Sequence, residues 1–163
     1  MQQKVLVIDQ EKCTGCRQCE LVCSVFHTGT SNPSRSRINV IKWENIGFYL
    51  PMTCQHCEEA PCIRVCPKNA LYRDEKLDRV MVNDHLCIGC KMCMTVCPFG
   101  ALGIDIKGKR VFKCDYCDGD PQCVSFCEAK ALDYVDADKA NLKRKREAAL
   151  KFSDLMRRYV GEP

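Results

Sequence analysis

Residues 87–98 read CIGCKMCMTVCP, and this stretch decides the fold. Its four cysteines are separated by two, two and three residues, and residues 13–23, CTGCRQCELVC, repeat that spacing. Residues 54–67, CQHCEEAPCIRVCP, and residues 114–127, CDYCDGDPQCVSFC, keep the first and last intervals and lengthen the middle one. Together the four groups use all 16 cysteines of the 163-residue chain.

This spacing is that of the iron–sulfur runs of bacterial ferredoxins. Three closely spaced thiolates on one loop reach three irons of a single 4Fe-4S cubane. The fourth cysteine, which we expect to begin a helix, points to a neighbouring cluster. Four groups therefore predict four 4Fe-4S clusters, each with one ligand from another group. We expect Gly15 and Gly89, inside these loops, to let backbone amides approach the cluster sulfurs because glycine lacks a Cβ.

Zinc binding and disulfide bonding are the two alternatives to iron–sulfur ligation for so many cysteines. Structural zinc uses paired CxxC knuckles with four ligands per ion and has no use for runs of four repeated four times. A disulfide framework requires export from the cytoplasm. The apolar run within residues 1–10, MQQKVLVIDQ, is too short for the core of a signal peptide, and it predicts a strand instead. We therefore expect a cytoplasmic protein. No apolar run approaches the roughly 18 to 20 residues that span a bilayer.

Net charge says little about partners here. The chain has 25 Lys and Arg against 21 Asp and Glu, a formal charge of +4. Four oxidised clusters at about −2 each would bring the total to about −4, so the apparent basicity does not indicate nucleic acid. We also find no Gly-rich dinucleotide fingerprint, no P-loop, no paired catalytic carboxylates and no nucleophile beside a base, which predicts a non-catalytic protein.

The groups pair to give two modules and an α+β fold. Residues 53–106 look like a complete two-cluster ferredoxin, in which strands are predicted at 70–72, 79–83 and 101–104. The first and fourth groups then partner each other in an outer module of residues 1–52 and 107–136, with strands at 5–8 and 131–135. One ferredoxin-like module is thus inserted in the other, with pseudo-twofold symmetry. Residues 38–43 are predicted to form a further strand.

This topology predicts that ligands are exchanged within each pair of groups. The predicted sets are Cys13, Cys16, Cys19 and Cys127 for cluster 1; Cys54, Cys57, Cys62 and Cys97 for cluster 2; Cys87, Cys90, Cys93 and Cys66 for cluster 3; and Cys114, Cys117, Cys123 and Cys23 for cluster 4. We expect His56 and His85, which flank ligands, to tune or pack rather than to bind iron. His27 has no evident role, and Trp43 is expected in the core or at an interface.

Residues 137–163 predict one C-terminal amphipathic helix for docking or assembly. Its apolar residues recur at helical intervals, Asp136 or Asp138 is placed to cap its start, and Gly161 ends it. The basic cluster at 143–146 fits either a solvated face or an electrostatic docking surface. The apolar positions are Leu142, Ala149, Phe152, Met156 and Tyr159.

The order and spacing of the four groups resemble the four-cluster iron–sulfur subunits of dimethyl sulfoxide reductase, formate dehydrogenase and hydrogenase complexes. Within that family, the stretches CELVCSVFHTGTSNPSRSRI at 19–38 and ALKFSDLMRRY at 149–159 look most like the small polyferredoxin subunit of tungsten aldehyde oxidoreductases. The resemblance implies a relay of single electrons between a catalytic subunit that holds tungsten or molybdenum and a flavoprotein or ferredoxin acceptor. A hydrogenase or carbon monoxide dehydrogenase partner, and a self-stacking conductor built of identical chains, are the alternatives.

Overall fold

The computed structural model describes residues 3–105, 108–142, 145–146 and 148–150. Within these residues the chain alternates short strands with short helices, and turns of 3₁₀ helix lie at 33–35, 44–46 and 116–119. The elements are β1 (Lys4–Ile8), α1 (Gln18–Thr28), β2 (Ile38–Trp43), β3 (Phe48–Thr53), α2 (Pro61–Arg64), β4 (Leu71–Asp74), β5 (Arg79–Val82), α3 (Met92–Thr95), β6 (Leu102–Asp105), β7 (Arg110–Lys113), α4 (Gln122–Ser125) and β8 (Leu132–Asp136).

The strands form antiparallel pairs. β2 pairs with β3, β4 with β5, and β6 with β7, each time between neighbours in the chain. β1 pairs with β8, so that Val5 lies opposite Val135 and the two ends of the described fold come together. The architecture is α+β and ferredoxin-like, and the strands predicted at 5–8, 38–43, 70–72, 79–83, 101–104 and 131–135 are confirmed to within two residues at each end.

Two separate hydrophobic cores lie between these sheets. One packs Leu71, Val80, Leu102 and Val111 around the buried sulfurs of the second and third cysteine groups. The other core is built from the first and fourth groups, and its members are Cys19, Cys23, Ile38, Val40, Cys123 and Leu132. The division into two modules, one inserted in the other, stays a prediction. The β6–β7 hairpin, however, crosses the predicted boundary at 106/107, and Val111 of β7 packs into the inserted core.

Helices α1 to α4 each begin one residue before the third cysteine of a group. α2, α3 and α4 start at Pro61, Met92 and Gln122, and α1 starts at Gln18. The prediction that the fourth cysteine begins the helix was wrong. Cys66, Cys97 and Cys127 each follow a four-residue helix, and Cys23 lies inside the longer α1.

The predicted C-terminal helix lies largely outside the described residues. Residues 137–142, 145–146 and 148–150 are helical, and the Ala137 amide donates to the Gln3 carbonyl at 2.8 Å. Ala140 is buried, whereas Leu142 and Leu150 are exposed. The predicted apolar positions 152, 156 and 159 and the end at Gly161 lie beyond the described part.

Two loop glycines are required by space as well as by backbone conformation. A Cβ on Gly89, whose φ is +67°, would lie 1.9 Å from the Lys109 carbonyl oxygen. A Cβ on Gly15 would lie 2.6 Å from the Tyr49 ring. In the first and third groups, the glycine before the second cysteine therefore packs directly against a neighbouring strand or turn.

Gly89→Ala should cost far more stability than Gly100→Ala. Both residues have positive φ, +67° and +57°, but a Cβ at Gly100 meets nothing within 4 Å. The shared backbone strain costs about 1–2 kcal/mol, and the clash with the Lys109 carbonyl should add about 3 kcal/mol at Gly89 only. The urea concentration at half loss of cluster absorbance, with iron content, measures the difference. Equal midpoints and equal iron in the two variants would contradict this account.

Candidate metal centres

The 16 cysteines are all free thiols, and they converge in sets that mix the sequence groups. Three small cavities are each lined by four of them. In every case three cysteines come from one group and one comes from its partner group. The sets are Cys54, Cys57, Cys62 and Cys97; Cys66, Cys87, Cys90 and Cys93; and Cys13, Cys16, Cys19 and Cys127.

The remaining four cysteines also lie together. Burial raises the pKa of Cys117 to about 12, and Cys114 and Cys23 are among the neighbours that add to this rise. Burial likewise raises the pKa of Cys123, and Cys114, Cys23 and Cys117 add to it. Mutual effects of this kind require short separations. Cys23 of the first group is therefore close to cysteines of the fourth group, as is Cys19, which also adds to the rise at Cys123. The set predicted for cluster 4 stays a prediction.

The fourth cysteine of every group accepts a backbone hydrogen bond at its sulfur. The amides of Ala70, Ala101 and Ala131 donate to the sulfur four residues before them at 3.3, 3.5 and 3.3 Å, and the Arg37 amide donates to Cys23 at 3.3 Å. Such bonds favour the thiolate, which is the form that binds metal. The three acceptors in the regular pattern are Cys66, Cys97 and Cys127.

Burial alone makes thiolates unfavourable in this fold. It raises the pKa of Cys19 to about 12 and that of Cys93 to about 11. At Cys66, burial also acts to raise the pKa, but the amides of residues 68–71 outweigh it and the pKa is lowered. Buried sulfurs at this density need cationic metal to hold them as thiolates, and iron binding would release their protons.

His56 supplies a further test of whether an iron–sulfur cluster fits. Burial, followed by the charge of Lys113, lowers its pKa to about 3, so the imidazole is neutral. Its Nδ1 accepts from the Val80 amide at 2.9 Å, which leaves the hydrogen on Nε2. Nε2 is buried, and it has no hydrogen-bond partner among the described residues. Because His56 sits between Cys54 and Cys57 in the loop, a cluster sulfur is a fitting acceptor for this donor.

The other three residues noted in the sequence have different surroundings. His85 is exposed at a turn, where its amide donates to the Asn83 side chain. Trp43 is 42% exposed at the end of β2 and contacts Phe48. His27, for which the sequence suggested no role, places Nε2 3.7 Å from the sulfur of Cys117.

His27 belongs to a polar group beside the fourth cysteine group. Its Nε2 lies 3.5 Å from Asp115, which also pairs with Arg37. Burial and then Arg37 lower the pKa of His27, and Asp115 opposes them. The imidazole is thereby held next to a predicted ligand sulfur without itself completing a ligand set, since Cys117 already has three cysteine neighbours.

Two arginines that sequence reasoning missed hold the cysteine loops in place. Arg73 on β4 donates to the carbonyls of His56, Cys57 and Glu58, the loop of the second group. Arg79 on β5 pairs with Asp74 and Asp118 and donates to the carbonyl oxygen of residue 115. Arg79 thus ties a strand of the inserted core to the fourth cysteine loop.

Lys113 and Tyr116 are the other residues that the sequence did not reveal. Lys113 is 3% exposed and Tyr116 is 4% exposed, and both lie where the second group meets the fourth. The ring centroids of Tyr116 and His56 are 4.1 Å apart. Strand alternation was the available signal for Lys113, because it shares the inward face of β7 with Val111.

The cysteines differ in their access to solvent. Cys16 and Cys90, the second cysteines of the first and third groups, are exposed, and the other 14 are buried or half-buried. Separately, no helix in the described ranges combines the length and the apolar character needed to cross a bilayer.

Comparison with known families identifies the same chemistry. Residues 46–137, more than half of the chain, match a family described as "4Fe-4S dicluster domain", and residues 4–25 match "4Fe-4S binding domain". A polyferredoxin-like subunit of aliphatic sulfonate oxidoreductase from Pyrococcus furiosus is 36% identical, over 96% of this chain and 93% of the relative.

Two further relatives come from Escherichia coli. The electron transport protein HydN is 35% identical over 91% of this chain and 99% of the relative. The B subunit of anaerobic dimethyl sulfoxide reductase is 33% identical over 96% of this chain and 83% of the relative.

Among solved structures, a subunit of the BamBC active-site complex of benzoyl coenzyme A reductase superposes with a TM-score of 0.50. It is 26% identical, and the match covers 96% of this chain and 90% of that one. The relatives are named as electron-transport proteins or subunits of oxidoreductases, not as catalytic chains. The chain therefore belongs to the 4Fe-4S dicluster family and is a non-catalytic iron–sulfur electron-transfer subunit of the kind found in oxidoreductase complexes.

Proposed function

We propose that this chain holds four 4Fe-4S clusters and relays single electrons between a tungsten or molybdenum oxidoreductase of the aldehyde-oxidising type and a flavoprotein or ferredoxin acceptor, in the cytoplasm. The observation that carries the proposal is the convergence of the cysteines in sets of four, each with three from one group and one from its partner. Clusters 1 to 4 are numbered by the group that supplies three ligands.

The contacts between groups support one order of clusters. Clusters 1 and 4 share the outer core, and clusters 2 and 3 share the inserted core. The second group meets the fourth at Tyr116, whose pKa is raised by burial and then by Cys114 and Cys54. Burial raises the pKa of Cys114, and Thr53, next to Cys54, is among the neighbours that oppose this rise. The order is therefore 1–4–2–3, with the contact between the two modules at its centre.

Solvent access agrees with this order. The two exposed cysteines belong to clusters 1 and 3, the ends of the proposed row. Electrons would enter and leave through these ends, while the buried and half-buried ligands of clusters 2 and 4 keep water from the middle. When bound, each cluster takes up or releases one electron without a covalent change. The polypeptide positions the sulfurs, donates amide hydrogen bonds to them and supplies buried cations nearby.

The nature of the catalytic partner rests on sequence resemblance. The stretches at 19–38 and 149–159 resemble the small subunit of tungsten aldehyde oxidoreductases. The oxidoreductase subunit from Pyrococcus furiosus, similar along almost its whole length, supports a partner enzyme of oxidoreductase type. A hydrogenase or carbon monoxide dehydrogenase partner is the second candidate, and HydN, named as an electron transport protein, is a relative that fits a simple carrier.

Cys97→Ser should damage cluster 2 and leave cluster 3 intact, because the Cys97 sulfur lies with those of Cys54, Cys57 and Cys62. The electron paramagnetic resonance spectrum of the reduced variant should match that of Cys57→Ser. A match to Cys90→Ser instead, whose cluster uses Cys66, would show that ligands are not exchanged between groups.

Anaerobic isolation of the tagged chain from its own cells should bring down a large subunit with tungsten or molybdenum and about 16 irons per small chain. Elemental analysis of the complex measures this. Nickel in place of tungsten or molybdenum would transfer the proposal to the hydrogenase or carbon monoxide dehydrogenase partner. A chain with far fewer irons would overturn the four-cluster proposal itself.

Removal of residues 142–163 should leave the iron content unchanged and abolish co-purification with the large subunit. Leu142 and Leu150 are exposed, which leaves apolar surface on this segment for a partner. Light scattering of the anaerobic full chain tests the alternative of a self-stacking conductor. If scattering by the full chain grows with concentration and this growth is lost on truncation, stacking is favoured. If the truncated chain still co-purifies with the large subunit, the docking role is contradicted.

A further inference from the structure

Lys113 is a buried cation at the contact between the two cores. It ends β7, which pairs with β6 of the inserted core, and it directly precedes Cys114 of the fourth group. Only 3% of the residue is exposed. Its position next to both modules is unusual for a lysine, because an ammonium is rarely buried without compensating groups.

Two of the three ammonium protons have carbonyl acceptors. Nζ donates to the Val80 carbonyl and to the Cys114 carbonyl, the latter at 2.8 Å. It also lies 3.3 Å from Nδ1 of His56, whose lone pair accepts from the Val80 amide. All of these groups are neutral, so they solvate the charge without cancelling it.

The loops of two different proposed clusters lie beside this charge. Lys113 directly precedes Cys114 and donates to its carbonyl, and His56, which is 3.3 Å from the ammonium, lies between Cys54 and Cys57. Cys54 and Cys57 are assigned to cluster 2 and Cys114 to cluster 4. The positive charge therefore lies beside ligands on each side of the contact between the two cores, where water, which would screen it, is excluded.

We propose that the buried ammonium of Lys113 raises the midpoint potentials of clusters 2 and 4 together and so stabilises the transferred electron as it crosses between the modules. Reduction adds one electron and no proton, and the added negative charge is stabilised by a nearby cation in a medium of low dielectric constant. Lys113 would act on the clusters through its charge and would ligate neither of them. The inference rests on the ligand sets proposed above.

The test is a redox titration of the anaerobic full chain followed by electron paramagnetic resonance. Lys113→Met, which keeps the length and removes the charge, should lower the midpoint potentials of two of the four clusters. We expect at least a tenfold change in each ratio of reduced to oxidised cluster, which is about 59 mV for a one-electron couple. Lys76→Met is the matched control, because Lys76 is exposed in the β4–β5 turn and its charge is screened by water.

Two further variants separate charge from folding. Lys113→Gln keeps a donor without the charge and should reproduce the shift, whereas Lys113→Arg keeps the charge and should restore most of the potential. Fewer than two shifted clusters in a variant with full iron content would overturn the proposal, as would an equal shift in Lys76→Met. If Lys113→Met and Lys113→Gln both fail to bind iron while Lys113→Arg binds the full amount, Lys113 has a structural role instead and the proposal is overturned.

The same titration distinguishes this inference from the proposed function. A wild-type chain with about 16 irons and four titrating species supports the four-cluster relay, whatever Lys113 does. A wild-type chain with fewer clusters removes the basis of both. Four unchanged potentials in a fully loaded Lys113→Met protein would leave the relay in place and overturn only the role of the lysine.

Discussion

Sulfurs from two distant parts of the chain have to reach the same small volume, and the rest of the fold follows from that requirement. Cys97 lines the cavity of Cys54 and Cys57, more than 30 residues earlier, and Cys127 lines that of Cys13 and Cys16. Each such meeting closes a long loop, which costs conformational entropy. Binding of a cluster by the four sulfurs would offset that cost. Ligation would therefore take the place that a large hydrophobic core has in other proteins.

The short elements make sense under this constraint. The strands of the described fold have four to six residues, and α2, α3 and α4 have four each. Two-stranded sheets of this length are marginal by themselves in water. Here they close the sides of the cysteine cavities, as Val80 and Leu102 do beside Cys62. We therefore expect stability to depend on bound iron, as it does in small metal-binding domains.

Charge is the second consequence of packing thiolates so densely. Negative clusters in a small interior require cations that cannot be drawn from solvent, and the fold places Lys113, Arg79 and Arg73 around the contact of the second and fourth groups. Each of these side chains also joins parts far apart in sequence. Two of these cations, Lys113 and Arg79, also join the two cores, whereas Arg73 holds the loop of the second group. The side chains that would compensate the clusters electrostatically are thus also side chains that hold the fold together.

Cysteine spacing predicted much of this arrangement, because ligand geometry restricts which thiols can share a cluster. Three of the four exchanged sets predicted from spacing line cavities, and the ligand assignments and their binding of iron stay a proposal. β3 and β7 were missed, since Pro51 interrupts the strand pattern of one and the other has four residues with two basic ends. Strand alternation in β7 was the signal that Lys113 faces inward, but its contacts with Val80 and His56 depend on elements that only the fold brings together.

The pairing of β1 with β8 determines where a partner held by the C-terminal segment can lie. Helical residues start directly after Asp136, and the Ala137 amide is bonded to Gln3 at the start of the chain. The segment therefore leaves from the outer module, whose exposed ligand is Cys16, and not from the inserted module with Cys90. A catalytic subunit bound by this segment would sit on the outer module, which leaves the cluster of Cys90 accessible to the acceptor. In this arrangement the two ends of the proposed row would meet different partners, because β1 and β8, which flank the described fold, both contribute to the core of the first and fourth groups.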